Sequence, residues 1–70
     1  MVVVDACGRS CPEPVVMTKK ALASKDAAYQ ILVDNTTALA NVTRFANYSG
    51  YKVAVEENDD VFTLNLTLGA

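Results

Sequence analysis

The two prolines of this chain, Pro12 and Pro14, stand two residues apart and limit what the surrounding segment can form. Proline lacks a backbone N–H and breaks a helix interior, but it fits the first turn, where N–H groups have no partner within the helix. Residues 15–24, which follow, are rich in helix formers. We therefore predict that the first helix begins at Pro12, with Cys11 or Ser10 at its N-cap.

The segments on either side of this helix alternate between strand and helix patterns. Residues 1–5 form a β-branched run that suits a buried strand, and residues 28–34 predict a second strand, buried on much of both faces. Asn35 or Thr36 is a good N-cap for a second helix. Gly50 is well placed to end that helix, because glycine tolerates the left-handed conformation that follows a helix end.

The last third of the chain predicts a β-hairpin. Residues 51–57 alternate apolar and polar side chains, residues 58–60 form a turn, and a fourth strand alternates after it. The side chains expected to face the core from this last strand are Phe62, Leu64, Leu66 and Leu68. Tyr48 and Tyr51 are expected at the edge of the core. The order β-α-β-α-β-β predicts an α+β fold, a two-layer sandwich in which both helices cover one face of a four-stranded mixed sheet.

Composition excludes several classes of function. The chain has 70 residues, a formal net charge of −2 and no clustered basic residues, so direct nucleic-acid binding is disfavoured. It has no membrane-length apolar run and no basic-then-apolar signal pattern, and we expect a cytoplasmic protein without a membrane partner. It has no histidine, which excludes Cys–His and Ser–His nucleophile pairs. With two cysteines alone, we expect neither a metal nor a cofactor.

Cys11 carries the strongest chemical signal, because it stands where the first helix begins. First-turn N–H groups and the helix dipole favour a thiolate there. Arg9 is close enough in sequence to steady the anion, whereas Glu13 is a like charge. We expect a moderately activated thiol, suited to attack the outer sulfur of a persulfide and later to release that sulfur to a second thiolate. From local chemistry alone, a cysteine that only packs as a small hydrophobe stays an open alternative.

A longer pattern surrounds this cysteine. It is Val4-Asp5-Ala6-x-Gly8-x-x-Cys11-Pro12-x-Pro14-Val15, followed by Thr18-Lys19-Lys20-Ala21-Leu22. This pattern resembles the TusA/SirA-like sulfur-carrier family, which is marked by a CPxP motif. Residues 33–35 and 41–53 are similar to the N-terminal domain of YedF-type proteins, which are associated with selenium metabolism. The likeness runs essentially from end to end.

The resemblance implies both a fold and a function. The fold is the same two-layer β-α-β-α-β-β sandwich, and the sulfur-accepting residue is Cys11. Taking the motif together with the local charges, we expect the supporting residues to be Asp5, Gly8, Arg9, Pro12, Glu13 and Pro14. The implied partners are a cysteine desulfurase or other sulfur donor and a downstream acceptor protein, serving tRNA thiolation, molybdenum cofactor or dissimilatory sulfur routes. In YedF-type proteins a DsrE-like domain follows, so we expect residues 1–70 to be one TusA-like domain, alone or at the N-terminus of a longer protein.

Two departures from the family keep alternatives open. Arg9 stands where the family usually has leucine, and Cys7 stands where the family more often has arginine or another non-cysteine residue. Cys7 and Cys11 form a C-x3-C pair that could close a disulfide if their Cβ atoms approach, although a reducing cytosol favours a small residue tolerated in the loop. Three functions are therefore compatible with the sequence, in this order of preference. They are a sulfurtransferase that relays a persulfide on Cys11, a non-catalytic interaction or regulatory module, and a Cys7–Cys11 thiol–disulfide switch.

Overall fold

Strands and helices follow one another in the predicted order β-α-β-α-β-β. In the computed structural model, which describes residues 1–69, the elements are β1 (Val2–Asp5), α1 (Glu13–Leu22), β2 (Ala28–Val33), α2 (Thr36–Tyr48), β3 (Tyr51–Asn58) and β4 (Val61–Leu68). The predicted α+β class is confirmed. Within the described residues, no helix is long and apolar enough to cross a membrane.

The four strands form one mixed sheet in the order β1-β2-β4-β3. β1 and β2 are parallel, and β4 runs antiparallel to both β2 and β3. The hairpin between β3 and β4 turns at Asp59 and Asp60, whose φ angles of 50° and 66° are both positive, as a two-residue type I′ turn requires. Because β1 and β2 are parallel, the loop that leaves β1 and the loop that leaves β2 lie at the same edge of the sheet.

The core lies between the two helices and one face of the sheet. Its buried side chains include Tyr29, Ile31 and Val33 of β2, Ala38, Val42 and Ala46 of α2, and Leu64 and Leu66 of β4. Pro14 and Thr18 of α1 are buried as well. The Thr18 hydroxyl donates to the Pro14 carbonyl oxygen at 2.9 Å, so this buried polar group is satisfied.

Predictions for the rim of the core were less accurate. Leu68, expected inward, is 57% exposed, because it lines an open groove with Leu22 and Tyr51 at the end of β4. Tyr48, expected at the edge of the core, is 88% exposed on the last turn of α2. Tyr51 is buried, and its hydroxyl donates to the Asp26 carbonyl oxygen at 3.0 Å. β2 is fully buried on the helix side and only half-buried on the other.

Candidate functional site

Cys11 lies in the turn that leads into α1 and is exposed. The helix begins at Glu13, with Pro12 at the N-cap, so the predicted start at Pro12 with Cys11 or Ser10 at the cap is wrong by one residue. The physical reason is that the Glu13 N–H donates to the Ser10 carbonyl oxygen at 2.9 Å, which closes a turn before the helix begins. The first helical bond then runs from the Val16 N–H to the Pro12 carbonyl oxygen, at 3.0 Å.

The CPxP segment leaves few backbone donors at the start of α1. Pro12 and Pro14 have no N–H, and the Glu13 N–H is already bonded to Ser10. An ordinary helix N-terminus offers several free N–H groups to an anion. Cys11 therefore lies beside a helix start that offers it fewer backbone donors than an ordinary helix N-terminus does.

Cys11 opens onto a groove between the start of α1 and the outer side of α2. The groove has a volume of about 390 Å³, and its lining residues are Cys11, Pro12, Val15, Asn41, Arg44, Phe45 and Tyr48. Most of these side chains are apolar, and Asn41 and Arg44 supply the polar groups of α2. A second groove, of about 460 Å³, contains none of the predicted site residues.

Asn41 and Arg44 connect α2 to the thiol. The Asn41 side-chain amide nitrogen, Nδ2, lies 3.8 Å from Cys11 Sγ, within hydrogen-bond range for sulfur. Arg44 Nη1 donates to Asn41 Oδ1 at 3.3 Å. Sequence reasoning did not assign either residue to the site. The available signal was their i, i+3 spacing, which places two polar side chains on one side of the second helix.

Two aspartates fix the loop that precedes Cys11. Asp5, at the end of β1, accepts the Cys7 N–H at 3.0 Å. Asp34, directly after β2, accepts the Gly8 N–H at 2.8 Å. Gly8 has a φ of +77°, a conformation that glycine adopts at little cost. Asp34 was not among the predicted site residues, although its position at the end of a strand parallel to β1 could have indicated it.

The side chain of Arg9 pairs with Glu13. Its guanidinium Nη1 lies 3.3 Å from Glu13 Oε1, and both side chains are about half exposed, at 53% and 49%. Arg9, expected to stabilise the Cys11 thiolate, and Glu13, expected to repel it, thus pair with each other. As an exposed pair, they contribute little to stability.

Comparison with known proteins now identifies the family. The sequence profile of the family described as "Sulfurtransferase TusA" matches residues 2–67. This chain belongs to the TusA family. A curated protein of Methanocaldococcus jannaschii, named as a candidate sulfur carrier, is 39% identical over 59 residues, which cover 81% of this chain and 79% of the relative. The crystal structure of a SirA-like protein from Desulfitobacterium hafniense superposes with a TM-score of 0.88 at 35% identity, and the match covers all of both chains.

Family membership confirms the predicted resemblance to TusA/SirA-like sulfur carriers. The predicted two-layer fold is confirmed by both the element order and the SirA-like structure. In this TusA-family chain the motif cysteine, Cys11, is exposed and faces a groove, whereas the motif proline Pro14 is buried in the core. The two ends of the motif therefore differ: the Cys11 thiol faces outward, and Pro14 packs α1 against the core.

Cys7 is the second thiol of this TusA-family protein, and its surroundings differ from those of Cys11. Both cysteines are free, and Cys7 is partly buried. Burial raises the pKa of the Cys7 thiol, and the carboxylates of Asp5 and Asp34 raise it further. At neutral pH Cys7 therefore keeps its proton, which disfavours it as a nucleophile, since the thiolate is the reactive form.

Proposed function

We propose that this TusA-family protein is a sulfur carrier that holds a sulfane sulfur as a persulfide on Cys11 and relays it to a partner protein. The observation that carries the proposal is the position of Cys11, an exposed thiol of the family motif that faces an open groove. Donor and acceptor must each reach the same sulfur atom, and an exposed position allows both to do so in turn.

The transfer needs only exchange at sulfur. In loading, the Cys11 thiolate attacks the outer sulfur of a donor persulfide, a new S–S bond forms, and the donor's own S–S bond breaks as its cysteine leaves as a thiolate. In unloading, an acceptor thiolate attacks the outer sulfur and Cys11 leaves as the thiolate. No proton is taken from carbon, which fits a chain without histidine.

We propose a cysteine desulfurase, or another protein that carries a persulfide, as the donor. The acceptor is a downstream protein, in a route of selenium metabolism or of tRNA thiolation. The proposed compartment is the cytoplasm, where a persulfide relay operates among reduced thiols. Residues 1–70 act in this proposal as one carrier domain.

Intact-protein mass spectrometry after incubation with a cysteine desulfurase and cysteine tests the proposal. We expect a gain of about 32 Da, the mass of one sulfur atom, which dithiothreitol removes. Cys7→Ser should load as the wild type does, and Cys11→Ser should not load while it stays folded by circular dichroism. Loading that survives Cys11→Ser, or its absence from the folded wild type, would contradict the proposal.

A further inference from the structure

The geometry around Cys11 points to a second functional residue on α2. We propose that Asn41 donates its side-chain amide to the reacting sulfur of Cys11, and that Arg44 is a positioning residue that holds this amide in place. The inference rests on the proposed persulfide chemistry of Cys11 and adds to it a group that stabilises negative charge on Sγ.

Arg44 determines which end of the Asn41 amide faces the thiol. A guanidinium has donors and no acceptor, so it can bond the carbonyl oxygen of an amide and not the NH2 group. Arg44 Nη1 donates to Asn41 Oδ1 at 3.3 Å. The NH2 group is thereby left facing Cys11 Sγ, 3.8 Å away. The two bonds link the Arg44 cation, through the neutral Asn41 amide, to the sulfur.

Cys11 gains an important donor from Asn41 because the start of α1 supplies few. Pro12 and Pro14 have no N–H group, and the Ser10 carbonyl oxygen already accepts the Glu13 N–H. Arg9 is paired with Glu13. Asn41 therefore occupies a role that backbone N–H groups fill at other helix starts, where donors favour an anion.

The amide should act differently on the two halves of the transfer. During unloading, the Cys11 Sγ–S bond breaks and Sγ changes from a neutral persulfide sulfur to a thiolate, so a donor to Sγ lowers the barrier. During loading, Sγ begins as a thiolate and loses charge as the new bond forms. Once the thiol is fully ionised, the same donor gives loading no advantage. Removal of the amide should slow unloading selectively.

Alkylation measures the effect on the thiol without any sulfur transfer. In a Cys7→Ser background, the rate of Cys11 alkylation by iodoacetamide is measured as a function of pH. The proteins compared are the parent with Asn41 unchanged, Asn41→Ala and Asn41→Asp. We expect the midpoint of the profile to move to higher pH in Asn41→Ala, which corresponds to an ionisation constant about three- to tenfold smaller. The midpoint should move further in Asn41→Asp, because the new carboxylate has the same charge as the thiolate. Asn47→Ala, the same change at an exposed position of α2, should leave the profile unchanged.

Unloading is measured on protein loaded by a cysteine desulfurase, as the loss of about 32 Da after dithiothreitol is added. We expect Asn41→Ala to unload about three- to tenfold more slowly than Asn47→Ala. The two variants should load equally at a pH where Cys11 is ionised in both. If the parent protein does not load, the proposed function fails, while the alkylation profile still reports on Asn41. Identical alkylation profiles for Asn41→Ala and Asn47→Ala would overturn the role of Asn41.

The role of Arg44 is separated from a simple charge effect by a double-mutant cycle. Arg44→Ala should shift the alkylation midpoint in the same direction as Asn41→Ala, because the amide is then free to turn its oxygen towards the sulfur. The shift should vanish when residue 41 is already alanine. Arg44→Lys retains a donor and should restore most of the wild-type profile. A full shift from Arg44→Ala in the Asn41→Ala background would contradict the positioning role.

Discussion

The backbone N–H of Gly8 donates to the carboxylate of Asp34 at 2.8 Å, across 26 residues of sequence. This bond ties the loop that carries Cys7 and leads to Cys11 to the end of β2, the strand parallel to β1. The chain turns at Gly8, whose φ of +77° costs glycine little. The position of the thiol therefore depends on contacts that lie outside the CPxP motif.

Replacement of Asp34 should loosen this loop. Asp34→Ala removes a charged acceptor, and we expect the free energy of unfolding to fall by about 1 kcal/mol, since the site is exposed. Amide hydrogen exchange at Gly8 should become faster. Glu57→Ala, at an exposed position of β3, makes the same change in net charge and should leave Gly8 exchange unchanged. Unaltered exchange at Gly8 in Asp34→Ala would show that the bond does not hold the loop.

Gly8 itself should tolerate asparagine better than alanine. An added Cβ meets no atom within 4 Å, so the cost of a side chain at this position is backbone strain and not a clash. We expect Gly8→Ala to lower the free energy of unfolding by about 1–2 kcal/mol. Gly8→Asn should cost less, because asparagine visits the left-handed region more readily. Chemical denaturation of the two variants checks the order, and equal losses would point to another cause.

The element order was predictable because each signal for it is local. Asn35 caps α2 as expected, with Oδ1 accepting the Ala38 N–H at 2.7 Å, and Gly50 follows the helix end with a φ of +92°. Such signals need only a few neighbouring residues, and the sequence contains them. The CPxP motif likewise predicted the family, which the family match confirms.

The surroundings of Cys11 were not predictable in the same way. The 3.8 Å approach of Asn41 joins residues 30 positions apart and depends on how α2 packs beside α1. The i, i+4 spacing of Arg9 and Glu13 could have predicted their pairing, although Arg9 was expected to stabilise the thiolate. Tyr48 lies on the last turn of α2 and is exposed. Helical periodicity alone does not show where along its length a helix stops covering the sheet.

Alkaline pH should destabilise the fold through Tyr51. Burial raises the pKa of the Tyr51 hydroxyl, and neighbouring Tyr29 raises it further. A folded-state pKa above the unfolded value means that stability is fully present below about pH 10 and falls as the pH rises further. Tyr51→Phe should reduce this pH dependence, and it should cost about 1 kcal/mol at neutral pH through the lost bond to Asp26. Thermal unfolding between pH 7 and 11 measures both effects, and Tyr48→Phe, at an exposed position, should change neither.

Cys7 should be a slow thiol in the folded protein. Burial and then the Asp5 carboxylate raise its pKa, so folded Cys7 holds its proton at a pH where the unfolded chain has begun to ionise. In a Cys11→Ser background we expect iodoacetamide to modify Cys7 more slowly in the native state than in urea at pH 8.5. Asp5→Asn should speed the native reaction by removing one of the raising charges, whereas Glu57→Gln, far along β3, should not. A native rate that equals the unfolded rate, and that Asp5→Asn leaves unchanged, would mean that neither burial nor Asp5 protects this thiol.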